Sequence, residues 1–269
     1  MPQESGWQVS GDAPSFYMRF AYAMQEPWTE DLILQAGCKD GDRVLDVACG
    51  PGLVAGKVNQ VSRATCKITG IDVNEVMLNA ARRSLPDIDW QLGSATELPF
   101  DDGTFDVVFC QQGLQYFPDR AKGMREIRRV LAPGGKLAVN VWGPLERQPF
   151  DVIYREGLRA FFGPDALNPS TLGFSLSTYG ELHTLAEDAG FTDINVRFEN
   201  RTARYPDIQE FLTGWTLASP RAEQFKAFPE EMQNRFVAYL VERLDSYMDD
   251  GGLVIPRENH FLLAKRASG

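Results

Sequence analysis

The chain has 269 residues, of which 43% are hydrophobic and 24% are charged, and this balance predicts a globular protein with a sizeable core. Its formal net charge of −10 disfavours a nucleic acid as partner, because binding to a phosphate backbone normally needs a basic face. No run approaches the roughly 18 apolar residues that a membrane span needs, so we expect no membrane partner and a cytoplasmic protein.

The four cysteines are scattered along the chain and form no C-x-x-C pair. Such spacing predicts neither a zinc site nor a disulfide framework. We therefore expect reduced thiols in the core and no bound metal.

Apolar runs of strand length alternate with helical patterns between residues 43 and 143. This alternation is typical of repeated β-α-β units and of a largely parallel sheet. The predicted strands cover residues 43–48, 67–72, 88–93, 104–110 and 136–142. Predicted helices lie between them at residues 74–84 and 119–131, and the second is ended by the sequence Ala-Pro-Gly-Gly at 132–135.

The C-terminal part does not continue the regular alternation of strands and helices. A helix is predicted over residues 178–189, a strand over residues 191–198 and a last strand over residues 258–266. Two segments, 144–177 and 201–256, interrupt this pattern. In the second, apolar residues between Phe225 and Leu244 recur at spacings of three and four, one face of an amphipathic helix whose first turn is marked by Pro229. That face either packs on the sheet or forms a lid over a substrate pocket.

A glycine turn follows the first predicted strand, in the sequence Val-Leu-Asp-Val-Ala-Cys-Gly-Pro-Gly at residues 44–52. Gly50 and Gly52 let the backbone approach a ligand closely, and the next helix points free amides and its positive end towards a ligand anion. Residues 50–55 also fit the dinucleotide fingerprint, and a plain structural turn would explain the glycines as well.

A carboxylate, Asp72, ends the next strand about 20 residues beyond this turn. In that place it can accept hydrogen bonds from both ribose hydroxyls of an adenosine, although alone it could be only a helix cap. Together, the turn and Asp72 predict a nucleoside cofactor.

Five motifs resemble, in order and spacing, those of the class I S-adenosylmethionine-dependent methyltransferases, and most of all the branch that includes the ubiquinone and menaquinone biosynthesis methyltransferases. They lie at residues 44–52, 70–78, 93–100, 104–108 and 129–135. The resemblance implies an enzyme that transfers a methyl group from S-adenosylmethionine to a small organic acceptor, with S-adenosylhomocysteine as the product. A preference for O-methylation over C- or N-methylation is our expectation.

The resemblance also implies the fold and its division. We predict an α/β, Rossmann-like fold with a mostly parallel seven-stranded sheet flanked by helices and with helical cap insertions. A single domain would span residues 1–269, with a cofactor-binding core at 30–143 and cap insertions at 144–177 and 201–256.

Roles for individual residues follow from the resemblance too. They would line the methionine end of the cofactor, hold its ribose, pack on its adenine, reach the adenine edge and receive its ammonium group. In chain order, these predicted cofactor-binding residues are Asp46, Ala48, Gly50, Gly52, Asp72, Val73, Met77, Ser94, Ala95 and Gln111.

Five residues are candidates for the acceptor site. Gln112, Gln115 and Tyr116 follow the fourth strand at its carboxyl end, where ligands bind in open α/β sheets. Tyr17 and Tyr22 belong to an aromatic segment ahead of the sheet, and in the resembling class such segments often fold over the cofactor. For all five, a supporting role in the core is the alternative.

No catalytic residue is predicted. His183 and His260 fall inside predicted elements, where a structural role is expected, and relatives often carry histidines where this chain has Gln115 and Tyr116. Two other functions stay open: a nicotinamide-dependent oxidoreductase, which the glycine turn would suit, and a protein that binds S-adenosylmethionine without catalysis. Against the first, the chain has no Tyr-x-x-x-Lys pair for hydride-transfer chemistry.

Overall fold

In a computed structural model, which describes residue 9, residues 11–163 and residues 172–268, one eight-stranded sheet runs through the molecule. The strands are β1 (Arg43–Val47), β2 (Lys67–Asp72), β3 (Asp89–Leu92), β4 (Phe105–Gln111), β5 (Leu131–Trp142), β6 (Thr192–Tyr205), β7 (Met248–Asp249) and β8 (Gly252–Lys265). Their order is β3-β2-β1-β4-β5-β8-β6, and β7 pairs with β8 outside this path.

The first five strands are parallel to one another, whereas β8 is antiparallel to both β5 and β6. Helices cover both faces of the parallel part, so that Val44, Leu45 and Val47 of β1 are all fully buried. The predicted α/β, Rossmann-like, mostly parallel sheet is confirmed. Seven strands form the path, as expected, and the two-residue β7 is additional.

Four of the described α-helices begin beside a side chain that caps them. Asn74 accepts the Val76 N–H (3.0 Å), Asp119 accepts the Lys122 N–H (2.8 Å), and Thr178 forms a capping box with Glu181. The helices are α1 (Ala13–Phe16), α2 (Tyr22–Ala36) after a π-helical turn (Tyr17–Ala21), α3 (Leu53–Val61), α4 (Glu75–Ser84), α5 (Arg120–Val130), α6 (Pro149–Phe162), α7 (Tyr179–Asp188), α8 (Ile208–Leu217), α9 (Ala222–Lys226) and α10 (Glu230–Leu244).

Three strands are longer than the sequence predicted. Strands β6 and β8 pair with each other from Thr192 and Lys265 to Tyr205 and Leu253. Both therefore extend into the segment 201–256 that was assigned to the cap. The end of β6 was missed because an edge strand needs only one apolar face and carries charged residues on the other. The Ala-Pro-Gly-Gly sequence, interpreted as a turn, belongs to an irregular start of β5, where the pairing with β4 shifts register.

The predicted amphipathic helix between Phe225 and Leu244 is two helices, α9 and α10, because Pro229 begins a new helix. Its apolar face packs on α6 rather than on the centre of the sheet. Phe161 and Phe236 meet edge to face at 5.4 Å between ring centroids. A Cβ on Gly157 of α6 would lie 2.8 Å from Leu240 Cδ2, so a larger residue there would force the Leu240 side chain to move. Residues 164–171 of the predicted first cap segment lie outside the described residues.

Candidate active site

A cavity lies at the carboxyl ends of the parallel strands. Residues that follow β1, β2 and β4 line one end, and helices α6 and α8 with the segment around Phe174 line the other. We call these the glycine-turn end and the cap end. The described residues of the cap end are Trp142, Asp151, Tyr154, Arg155, Gly173, Phe174, Trp215, Ala218 and Arg257.

The glycine turn reverses the chain between β1 and α3 through three left-handed residues. Ala48 has a φ of +56°, Gly50 of +53° and Gly52 of +93°. No atom lies within 4 Å of the place where a Cβ of Gly50 would be, and Gly50 lines the cavity. Gly52, predicted to contact the cofactor, is instead the N-cap of α3, where a Cβ would lie 2.7 Å from the Trp90 ring. Its role in the structure is therefore close packing.

The methyl group of Ala48 leaves no room for a side chain at residue 113. A Cβ on Gly113, just beyond β4, would lie 2.6 Å from the Ala48 Cβ and 3.0 Å from the Cys110 Sγ. Both distances are shorter than the usual contact distance between non-bonded heavy atoms. The backbone after β4 can thus approach the turn after β1 only because residue 113 is a glycine.

Two carboxylates hold the glycine-turn end together. Asp72 accepts the Gly50 N–H at Oδ2 and the Asn74 N–H at Oδ1, each at 2.8 Å, and so joins the end of β2 to the turn. Asp46 is 1% exposed and accepts the Ala55 N–H at 3.1 Å from the first turn of α3. Burial raises the pKa of Asp46 to about 7. Asn74, and not Asp72, caps α4 with its side chain.

Three of the four residues predicted to contact adenine line the cavity. Val73, Met77 and Ala95 all line it, Val73 being exposed and the other two buried. The side chain of Ser94 is not part of the lining, because its hydroxyl is 2.8 Å from the Thr96 Oγ1 and accepts the Thr96 N–H. The predicted contact of Ser94 with adenine is therefore not supported by the position of its hydroxyl.

A buried polar network ties α2 to the end of β4. Thr29 Oγ1 donates to Gln111 Oε1 (2.9 Å), and Gln25 Nε2 donates to the Tyr17 hydroxyl (3.0 Å). Tyr17, Gln25 and Gln111 all line the cavity. Sequence reasoning missed Gln25 and Thr29, although both are polar residues on the apolar, buried side of a helix.

Tyr22, predicted beside Tyr17, does not line this cavity but a separate hollow with Glu26 and Lys57. Residues four apart share a face of a helix, and it is Ala21 and Gln25, four and eight residues after Tyr17, that lie with it on the cavity. The structure thus brings Tyr17, but not Tyr22, to the cavity.

The candidates after β4 divide in a similar way. Gln112 and Tyr116 line the cavity, whereas Gln115 is fully buried and donates to Gln112 Oε1 at 2.8 Å. The side-chain amide of Gln112 is also hydrogen-bonded to those of Asn140 and Asn259. Gln115 thus supports Gln112 and does not itself reach a ligand.

The cap end joins aromatic rings to a buried ion pair that no sequence pattern indicated. Arg257 of β8 is 1% exposed, pairs with Asp151 of α6, and holds its guanidinium 4.1 Å from the centroid of the Trp142 ring. Burial lowers the pKa of Arg257 to about 9. Arg257 lies beside Trp142 because β8 runs antiparallel to β5 as far as the pair Trp142 and Asn259, and the predicted last strand began one residue after Arg257.

Neither histidine lines the cavity. His183 stacks on Tyr179 on α7, and the His260 Nε2 lies 3.0 Å from the Glu258 Oε1. The expectation of structural roles for both agrees with these positions.

Other features bear on what the chain can bind. Within residue 9, residues 11–163 and residues 172–268, no group of three or more metal-binding side chains comes together. In the same part of the chain, no helix is long and apolar enough to cross a bilayer. The four cysteines are free thiols, and three of them are buried.

Comparison with known proteins agrees with this geometry. Residues 45–139 match the family described as "Methyltransferase domain". A demethylmenaquinone methyltransferase of Renibacterium salmoninarum is 33% identical over 180 residues, which cover 63% of this chain and 75% of that protein. The chain belongs to the class I S-adenosylmethionine-dependent methyltransferases. This methyltransferase therefore uses S-adenosylmethionine, and the oxidoreductase and non-catalytic alternatives are wrong.

Further relatives of the methyltransferase agree. A 2-phytyl-1,4-naphtoquinone methyltransferase of Synechococcus elongatus is 33% identical over 146 residues, which cover 51% of this chain and 62% of that protein. Among solved structures, the phosphoethanolamine N-methyltransferase 2 of Haemonchus contortus has a TM-score of 0.59 at 20% identity, over 96% of this chain and 61% of that one. At such low identity the likeness supports the fold alone.

Proposed function

We propose that this methyltransferase acts on a quinone-type small molecule, bound in its reduced, phenolic form. The two relatives are named as methyltransferases of demethylmenaquinone and of 2-phytyl-1,4-naphtoquinone, and both of these compounds are quinones. One observation carries the proposal: a single cavity connects Asp72 and Gly50 with the aromatic rings of Trp142, Tyr154 and Trp215. Such rings suit a flat, apolar acceptor next to the cofactor.

The residues of the glycine-turn end fit the cofactor in chemistry and position. Asp72 can accept hydrogen bonds from ribose hydroxyls, and the first turn of α3 presents its positive end to a carboxylate. Asp46 and the backbone of Gln111 suit the ammonium group. Val73, Met77 and Ala95 offer apolar contact to adenine, while Ala48 and Gly50 leave room for the methionine chain.

The chain itself would act by placing the acceptor and excluding water. S-adenosylmethionine, when bound, supplies an electrophilic methyl group and becomes S-adenosylhomocysteine. Alignment of two reactants accounts for roughly 7–11 kcal/mol of an activation barrier. This is a larger contribution than that of a general base, which increases the rate by roughly 10²–10⁴-fold. Burial raises the pKa of the Tyr17 and Tyr116 phenols, so neither serves as a base near neutral pH.

Methyl transfer can be tested with 1,4-dihydroxynaphthalene carrying a 2-prenyl chain, incubated anaerobically with S-adenosylmethionine labelled with ¹³C in its methyl group. We expect a methylated product together with S-adenosylhomocysteine. The carbon chemical shift separates an O-methyl from a C-methyl product, which decides our preference for oxygen. A protein that forms no methylated product from this or any other phenolic probe, yet binds S-adenosylmethionine, would contradict a quinone-type acceptor.

Cofactor choice is tested separately by calorimetry with S-adenosylmethionine, S-adenosylhomocysteine and NADH. The first two should bind and NADH should not, because the motifs at residues 44–52 and 70–78 match an adenosine site with no second nucleotide. Binding of NADH alone would overturn the assignment of the glycine-turn end.

A further inference from the structure

The charged side chains that line the cavity are divided between its two ends. The glycine-turn end carries two carboxylates, Asp46 and Asp72. The cap end carries one carboxylate, Asp151, and two guanidinium groups, Arg155 and Arg257. Both cations of the described lining therefore lie at the cap end, where an acceptor with a negative charge would meet them.

Arg257 is the more deeply buried of the two guanidinium groups, with an exposure of 1%. Asp151 and the Trp142 ring hold its guanidinium in place. Within the described part of the chain, its Nε has no hydrogen-bond partner. An N–H of a buried guanidinium left without an acceptor is costly, and a ligand oxygen would remove that cost.

Other charged side chains lie near Arg257. Glu258, the next residue of β8, pairs with Arg147 and with His260. Arg155 comes from α6, as does Asp151. Across the sheet, the register partner of Arg257 on β6 is Arg201, which forms its own ion pair with Asp31 of α2. Asp151 is thus the carboxylate that pairs with Arg257, and an acceptor oxygen would be a second partner for its guanidinium.

We propose that Arg257, oriented by Asp151, binds an ionised ring oxygen of a flat phenolic acceptor and is a positioning residue for methyl transfer. This inference rests on the proposed function, whose acceptor it defines as a phenolate. The rings of Trp142, Tyr154 and Trp215 enclose the flat part of the acceptor, while the guanidinium recognises the oxygen.

Ionisation at this place supplies the electron-rich form that methyl transfer needs. The O–H bond of the phenol breaks, its electron pair stays on oxygen, and the proton leaves to solvent water. Among apolar walls, the guanidinium of Arg257 would favour the ionised form of the bound phenol over its neutral form. No side-chain base is then required in the cavity, and neither histidine belongs to its lining.

The probe for this inference is 4-nitrophenol, whose phenolate absorbs visible light, and its matched control is 4-nitroanisole, which cannot ionise. Both are titrated against the protein saturated with S-adenosylhomocysteine. The wild-type protein should lower the apparent pKa of bound 4-nitrophenol by about one unit, which corresponds to about tenfold tighter binding of the phenolate than of the phenol. Equal affinity for phenol and phenolate in the wild-type protein overturns the inference.

The variant that tests the residues is Asp151→Asn with Arg257→Gln, because removing both charges leaves no buried charge uncompensated. The matched control is Asp249→Asn with Arg204→Gln, which removes an exposed ion pair of the same kind. The first variant should lose the pKa shift and bind 4-nitrophenolate about tenfold more weakly, with its affinity for 4-nitroanisole changed less than threefold. The control should behave as the wild type.

The outcomes separate this inference from the proposed function. If the wild-type protein binds no S-adenosylhomocysteine, the proposed function fails before Arg257 is tested. If Arg155→Gln, and not the double variant, abolishes the shift, the wrong cation has been assigned. Should the double variant fail to fold, Arg257→Lys keeps the charge but removes the Nε donor. It must then bind the phenolate at least about threefold more weakly, or the inference is overturned.

Discussion

The two ends of the cavity are built in different ways. At the glycine-turn end, short backbone segments supply the shape: Gly50 has a left-handed φ, and its N–H donates to Asp72 at 2.8 Å. At the cap end, single side chains from distant parts of the chain supply the shape, among them Trp142, Trp215 and Arg257. A cofactor end made of local turns is suited to one unchanging ligand, whereas a cap made of separate side chains can change acceptor without altering the turns.

The largest effect is expected for a substitution of Asp72, at the glycine-turn end, on cofactor binding. Asp72→Ala removes two hydrogen bonds to the backbone and those proposed to ribose, and a hydrogen bond to a charged group contributes about 1.5–3 kcal/mol. We expect affinity for S-adenosylhomocysteine, measured by calorimetry, to fall by roughly 100-fold. Asp87→Ala, at an exposed position after α4, is the control and should bind as the wild type does. A loss of less than about fivefold at Asp72 would mean that the turn does not depend on it.

A change at the other end should leave the cofactor alone. Trp215→Ala opens the aromatic wall of the cap end, and loss of aromatic contact at roughly 1.5–2 kcal/mol raises the KM for the naphthalenediol about 10- to 30-fold. Affinity for S-adenosylhomocysteine should stay within about twofold of the wild type. Tyr179→Ala, which removes an exposed aromatic side chain outside the cavity, is the matched control. Equal losses of cofactor and acceptor binding would mean that the two ends are not independent.

The pH dependence of cofactor binding reports on Asp46. Its pKa is raised by burial to about 7, so the folded protein keeps this proton over the range from about pH 4 to 7 in which the unfolded chain has released it. This group therefore favours folding most below about pH 4, and its contribution is lost as the pH rises towards 7. An ammonium group binds the ionised carboxylate better, so affinity for S-adenosylhomocysteine should rise about tenfold between pH 6 and 8.

Asp46→Asn is the test of that assignment, since an amide cannot titrate. Its affinity should be nearly constant over the same range, and its stability in chemical denaturation should no longer fall towards pH 7 through this group. A profile as steep as that of the wild type would assign the titration to another residue.

The smallest effects are expected at the histidines. His183→Ala and His260→Ala remove side chains that do not line the cavity, so turnover should change by less than about threefold. Steady-state kinetics with the naphthalenediol measures this. If either variant lost a thousandfold in turnover while cofactor affinity and folding stayed intact, that histidine would be a base, and placement alone would not explain the reaction.

What sequence reasoning could predict follows the same division. The positions of Gly50 and Asp72 on the cavity followed from residues within one β-α-β unit, where strand ends and turns have nearly fixed geometry. The positions of Ser94 and Tyr22 outside the lining could not be predicted, because their side-chain directions depend on a local hydrogen bond and on the phase of a helix, which motifs do not record.

Arg257 could not be found from the sequence because its neighbours are more than 100 positions away along the chain. The antiparallel arrangement of β8 beside β5 brings it to Asp151 and Trp142, whereas the predicted last strand began at residue 258, one residue after it. An arginine in an apolar strand is a signal that could have directed attention to it, since an arginine is almost never fully buried without a partner.

The contact between Ala48 and Gly113 has a consequence for how this chain can evolve. At φ +56°, alanine is strained by about 1 kcal/mol, and glycine would relieve that strain at the expense of a more flexible unfolded chain. Ala48→Gly also removes the methyl group that would lie 2.6 Å from a Cβ at position 113. The two positions should therefore covary: Gly113→Ala alone is disfavoured, but becomes more acceptable once residue 48 is glycine. The Cys110 Sγ at 3.0 Å makes that compensation partial, so a second exchange at Cys110 would complete the path.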